Sequence, residues 1–277
     1  MYYKYYMSID DVKASLLPRD VPKKYKSLIK HADFIQRPTN SFSWAVTTEL
    51  LSRQFCYRVL LNTLNKTDDE IKLTLPPDCT LSERGDVIAE KIRDGDVIDL
   101  ACSGQSGFLP FVRHAKARSV TNIDLNIKDQ YEKEPSGMER IELMGDILAT
   151  LSRVRSDAYN LIHLSGFDSV ENYYKGNRHK PTAAELQIKR GLPSDKKDMY
   201  ARQLGFARGM YESDRDGYLQ ALITEAHRAT KKGGVLLMGL NGPSEEKKLH
   251  QLPLQLGFAE IPLPQGNGIT KLKLFEK

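Results

Sequence analysis

The sequence predicts an α/β fold: a mostly parallel sheet with helices on both faces, preceded by a small helical N-terminal segment. Three observations predict it. The stretch Asp96–Asp124, DVIDLACSGQSGFLPFVRHAKARSVTNID, reads as strand, glycine-bearing turn, helix, and a second strand ending in an acid. From Thr80 to the C-terminus short apolar runs alternate with amphipathic stretches, as in successive βαβ units. Before residue 75 that alternation is missing, and Trp44, Leu51, Phe55 and Val59 recur near helical spacing instead.

The 277 residues suffice for one large or two small domains. Leu75-Pro76-Pro77-Asp78 punctuates the chain, giving a helical cap or substrate segment over 1–78 and a ligand-binding domain over 79–277. Hydrophobic content of 40% with 28% charged residues is the composition of a soluble globular protein. A net charge of +5 permits an anionic partner without arguing for nucleic acid. No apolar run approaches the roughly 18 residues of a membrane span, and Met1-Tyr2-Tyr3-Lys4-Tyr5-Tyr6 has no signal-peptide core, so a cytoplasmic location is expected. Cys56, Cys79 and Cys102 lack both CxxC spacing and a neighbouring His cluster, so neither a metal site nor a disulfide framework is expected.

Each element has its own signal. Pro18 and Pro22 break the chain before the helical pattern of Asn40–Asn65. Thr80 and Glu83 are spaced for a capping box on a helix running to Arg93, with Val87, Ile88 and Ile92 on one face. Val97–Leu100 is the first strand, Phe108–Lys116 a helix, and Val120–Ile123 the second strand, stopping on Asp124. Ile141–Met144 is a third strand, and Gly145-Asp146-Ile147 opens a helix. Tyr159–Leu164 is the fourth strand, ended by Ser165-Gly166.

Phe167–Arg215 then carries much Lys, Arg, Tyr and Gly but little continuous apolar pattern. So long a connection inside an α/β unit is uncommon and tends to be functional. Tyr218–Thr230 is an amphipathic helix, which Lys231-Lys232-Gly233-Gly234 would cap. Val235–Leu240, Gly257–Ile261 and Ile269–Phe275 are the last strands, with a helix over Ser244–Leu256.

Taken in order, several of these segments carry a family resemblance. They are Val97-Ile98-Asp99-Leu100-Ala101-Cys102-Ser103-Gly104, Ser119–Asp124, Gly145-Asp146-Ile147, Asp157–His163 and Lys231–Leu237. From residue 80 onward the chain resembles the class I S-adenosylmethionine-dependent methyltransferases. The resemblance implies a Rossmann-like, seven-stranded, mostly parallel sheet and S-adenosylmethionine as cofactor. It implies a glycine-turn contact through Asp99, Ala101, Ser103, Gly104 and Gly107. Asp124, with Leu125 beside it, would hold the ribose hydroxyls, and Asp146 would meet the adenine amino group with Ile147 against the ring. The family turn is usually GxGxG, whereas Ala101 and Ser103 stand here where glycines are usual. An NPPY-type motif is absent, and His163-Leu164-Ser165-Gly166 stands after the fourth strand instead, which points away from a nucleic-acid base amine.

Methyl transfer from a sulfonium is an in-line displacement that mainly requires alignment and exclusion of water. A base is needed only where the acceptor carries a proton. His163 is the candidate catalytic residue, expected at the carboxyl end of the fourth strand, with a histidine satisfied by backbone hydrogen bonds as the bland alternative. Tyr173, Tyr174 and His179 are candidate acceptor contacts, with a solvated loop face as theirs. The insertion over 167–215 is expected to act as a lid selecting the acceptor, or else to thicken the fold or make a homodimer contact. A small-molecule acceptor is expected, with protein and nucleic-acid acceptors left open. The competing classes are a methyltransferase-like binding protein without catalysis and a nicotinamide-dependent oxidoreductase. The latter expects a GxGxxG turn, which this sequence lacks.

Overall fold

Eight strands form one sheet, in the order β3-β4-β2-β1-β5-β6-β8-β7. They are β1 (Asp96–Leu100), β2 (Ser119–Asp124), β3 (Gln130–Lys133), β4 (Glu139–Met144), β5 (Tyr159–Ser165), β6 (Thr230–Leu240), β7 (Ala259–Ile261) and β8 (Lys271–Glu276). The computed structural model describes residues 46–47, 49–52, 79–100, 107–124, 129–165, 215–240, 243–266 and 271–277. Strands β4, β2, β1, β5 and β6 are parallel, while β8 runs antiparallel between β6 and β7. The Rossmann-like α/β sheet expected from the sequence is therefore present.

The eighth strand corrects the expected seven. It is β3, which forms an antiparallel hairpin on the edge of β4. All four of its residues are exposed, so burial imposed no apolar alternation on them and the sequence carries no strand pattern there.

Alternation along the parallel strands sends side chains to two separate cores. On one face Ile98, Leu100, Ile162, Leu164 and Leu236 pack with residues of α3 (Ile147–Leu151), α4 (Arg215–Ala229) and α5 (Pro243–Gln255). On the other, Val97, Val120, Leu161, Val235 and Leu237 pack with α1 (Glu83–Ile92) and α2 (Leu109–His114). Val46 and Leu50, both helical, join that second core, so both sides of the boundary placed at residue 78 contribute to it. Glu49, fully buried, pairs with Arg84 of α1 at 3.3 Å, and Arg84 Nε donates to the Pro264 carbonyl at 2.5 Å. The helical residues before β1 are thus fastened to α1 and to the segment after β7.

Two local expectations are corrected. Helix α1 is capped by Ser82, whose hydroxyl accepts from Gly85 N, while the Thr80 hydroxyl donates to Ser52. The run Lys231–Gly234 does not terminate a helix from outside the sheet but lies within β6, where the pairing with β5 jumps between Tyr159 and Leu161. Gly233 has φ +74°, and a Cβ on Gly234 would come within 2.8 Å of the Tyr159 carbonyl. These glycines therefore serve a bulge, which shares its composition with a helix C-cap. Helix α4 itself ends with the Thr230 hydroxyl bonded to the Ala226 carbonyl. Residues 1–45, most of Asn40–Asn65, and the insertion as far as residue 214 lie outside the described residues.

Candidate functional site

Parallel strands bring their carboxyl ends to one edge of the sheet. The chain leaves β1 for β2 on one side and later returns to β5 on the other, so a crevice is expected between β1 and β5 at that edge. Asp99 of β1 and His163 of β5 are register partners there. His163 Nδ1 lies 2.7 Å from Asp99 Oδ1, and both side chains are fully buried. The imidazole also stacks on Phe108, at the head of α2, with ring centroids 4.0 Å apart and planes 24° apart. A carboxylate accepts and does not donate, so the contact places a proton on Nδ1 and makes Nε2 of the neutral ring an acceptor.

That Nε2 atom is buried and has no hydrogen-bond partner. On the opposite side of β1, Asn122 of β2 is the register partner of Asp99, and its buried Oδ1 also has none. Two acceptors therefore flank a carboxylate along one row of the sheet, where a buried polar atom left unsatisfied costs about 1–3 kcal/mol. Groups that would satisfy them are hydrogen-bond donors.

Asp124 is the last residue of β2 and is 6% exposed. Its carbonyl accepts from Gly145 N at 3.1 Å, which joins the end of β2 to the turn after β4. Asp146 follows in that turn, 1% exposed, in extended conformation (φ −61°, ψ 137°) as the N-cap of α3. Its Oδ1 accepts from Ala149 N at 2.8 Å and its Oδ2 from the Tyr218 hydroxyl at 3.1 Å. Ile147 is buried among α3 and α4. Gly107 is buried at the start of the crossover to α2, and its carbonyl accepts from the Thr47 hydroxyl at 2.6 Å.

The structure thus places Asp99, Asp124 and Asp146 at or next to the carboxyl ends of three neighbouring parallel strands, β1, β2 and β4. It places His163 beneath Phe108 with a carboxylate, rather than backbone, as its partner. Ala101, Ser103, Gly104, Leu125, Tyr173, Tyr174 and His179 lie outside the described residues. Sequence reasoning missed Asn122, Thr47 and Tyr218. Asn122 had a signal, being an amide two before Asp124 and so on the same face of its strand. Thr47 and Tyr218 had none, because their partners lie 60 and 72 positions away.

Sheet order and strand-end acids define an open α/β protein whose strand order reverses between β1 and β5. No family model matches the chain, and no curated protein matches it. Among solved structures it is similar to a TehB-like SAM-dependent methyltransferase from Corynebacterium glutamicum, at 15% identity over 70% of this chain and 87% of that one, TM-score 0.36. It is also similar to a SAM-dependent methyltransferase from Archaeoglobus fulgidus, at 11% identity over 63% of this chain and 65% of that one, TM-score 0.35. A third is N-methyltransferase NodS from Bradyrhizobium japonicum in complex with S-adenosyl-L-homocysteine, at 11% identity over 70% and 86%, TM-score 0.37. The chain's own topology, rather than these likenesses, carries the fold, and its residues carry the chemistry. Among the described residues, no helix is long and apolar enough to cross a membrane.

Proposed function

We propose that the protein binds S-adenosylmethionine and transfers its methyl group to a small-molecule acceptor. The observation that carries this reading is the set Asp99, Asp124 and Asp146, buried to 0%, 6% and 1% exposure and gathered at the ends of adjacent strands. Carboxylates accept hydrogen bonds. Ribose hydroxyls, an adenine amino group and an α-ammonium all donate them, and a sulfonium adds positive charge that complements the acids. The acceptor atoms Asn122 Oδ1 and His163 Nε2 fit the same donor-rich ligand. A nicotinamide dinucleotide fits less well, because its pyrophosphate expects a GxGxxG turn that the sequence lacks.

When bound, the cofactor supplies a methyl group already activated on sulfur. The chain's part is to hold and align. Asp124 accepts from the ribose hydroxyls, and Asp146 from the adenine amino group. Thr47 holds the backbone of Gly107 through its carbonyl. Asp99 fixes the His163 tautomer from within the sheet. An activated carbon and an aligned acceptor suffice for the displacement, so a buried His163 is compatible with turnover.

A binding protein without turnover is the second reading, favoured by the complete burial of His163, the candidate base. Incubation with methyl-labelled S-adenosylmethionine and a panel of amine, hydroxyl and thiol acceptors separates the two. Label transferred to any acceptor supports the enzyme. Stoichiometric cofactor binding with no transfer across the panel favours the binding protein, and tight NAD(P) binding with no S-adenosylmethionine binding overturns both.

A further inference from the structure

The hydroxyl of Tyr218 reaches Asp146 from the far end of the long connection between β5 and α4. Tyr218 is the fourth residue of α4 and fully buried, and its hydroxyl donates to Asp146 Oδ2 at 3.1 Å. Asp146 Oδ1 is held separately, by Ala149 N at 2.8 Å. Two donors on two different oxygens fix both torsions of a short side chain. The backbone bond comes from the helix that Asp146 caps, so it follows from α3 alone. The phenol bond does not, since an N-cap needs only one oxygen.

We infer that Tyr218 is a positioning residue that sets the plane of the Asp146 carboxylate and so makes the site specific for a 6-aminopurine over a 6-oxopurine. The inference rests on the reading above, in which Asp146 meets the adenine amino group. An amino group at C6 donates, whereas an oxo group accepts and is repelled by a carboxylate held towards it. Each carboxylate oxygen can accept more than one hydrogen bond, so the phenol and a ligand amine are compatible partners. A carboxylate held in place before binding costs the ligand no ordering of that group. Without the phenol, Oδ2 loses a donor that holds it, and the penalty against a 6-oxo group softens.

The test is calorimetric titration of Tyr218→Phe, Asp146→Ala and the double variant with S-adenosylhomocysteine and its 6-oxo analogue, S-inosylhomocysteine. Tyr218→Phe keeps the buried ring and removes only the hydroxyl, so the fold is retained, and cooperative unfolding checks this. The expected result is about a two- to tenfold loss of S-adenosylhomocysteine affinity, because a carboxylate no longer held must be ordered on binding. The preference over the 6-oxo analogue falls with it, and Tyr218→Phe adds no further loss once Asp146 is alanine. Affinity and preference unchanged in Tyr218→Phe, while Asp146→Ala loses the preference, overturn the role of Tyr218 and leave Asp146 as the adenine contact. Fully additive losses also overturn it. A preference that survives Asp146→Ala removes the adenine contact itself and this inference with it. The Tyr218→Phe arm with the two ligands stands alone if Asp146→Ala does not fold.

Discussion

The Thr47 hydroxyl donates to the carbonyl of Gly107 at 2.6 Å, across 60 positions of chain and out of contact with solvent. One residue lies among the helical residues that precede the sheet domain, the other in the glycine turn that opens the first crossover. Thr47 thereby holds the backbone of Gly107 at the start of the crossover to α2. Thr47→Val keeps the side-chain shape and removes the donor. It should cost about 1–3 kcal/mol, the range for a buried group left unsatisfied, read from urea unfolding. S-adenosylhomocysteine affinity should fall as well. Stability and affinity both unchanged would show that the contact supports nothing.

His163→Ala removes the imidazole from between Asp99 and Phe108. The buried Asp99 carboxylate loses its 2.7 Å partner and the stack on Phe108 is lost. A loss of at least about 1.5–3 kcal/mol is expected, as for a hydrogen bond to a charged group. His163→Phe should recover part of this through packing alone, because it restores the ring but not the hydrogen bond. Equal stability of His163→Ala and the wild type in chemical denaturation would contradict the pairing.

Asp146 serves α3 as well as the proposed ligand, and two substitutions separate the roles. Asp146→Asn keeps an oxygen for Ala149 N and an amide that can donate to the Tyr218 oxygen, so it should cost little stability, whereas Asp146→Ala loses the cap, about 0.5–2 kcal/mol, and the Tyr218 hydrogen bond as well. S-adenosylhomocysteine affinity should fall in both, and less in Asn. Affinity lost only in step with stability would make Asp146 a helix cap and nothing more.

Asp96, at the start of β1, predicts an acid limb in stability. Burial works to raise its pKa, but hydrogen bonds from Arg118 and Ser119 and the Arg118 charge outweigh it and hold the carboxyl below its ordinary 3.8. A depressed carboxyl contributes stability that is complete above the unfolded value and lost as pH falls through the folded one. Asp96→Asn should therefore flatten the decline of the thermal midpoint below about pH 4 and leave its slope near neutrality unchanged. An acid limb of the same steepness in the variant would show that the carboxyl is not linked to folding.

Much of this architecture was legible because buried strands must be apolar on both faces. Val97-Ile98 and Leu161-Ile162 announce β1 and β5, which separate helices flank on either side. The polar interruptions Asp99 and His163 were legible as residues but not as a pair. Their contact depends on β5 returning beside β1 after β2, β3 and β4 have formed on the other side. The exposed β3 had no burial to pattern it. Lys231–Gly234 was legible as the entry to a strand, as β6 bears out, but its reading as a helix cap fails because a bulge also takes glycine at positive φ, as at Gly233.

The central claim, a donor-rich nucleoside ligand held by the strand-end acids, is tested most directly by isothermal titration of S-adenosylhomocysteine into wild type and Asp124→Ala. The wild type should bind one equivalent. The variant should keep its cooperative unfolding and bind at least about tenfold more weakly, because a hydrogen bond to a charged group contributes about 1.5–3 kcal/mol and ribose offers two donors. NAD should give no saturable heat with either protein. Absence of S-adenosylhomocysteine binding to the wild type, or equal affinity in folded Asp124→Ala, would contradict the assignment.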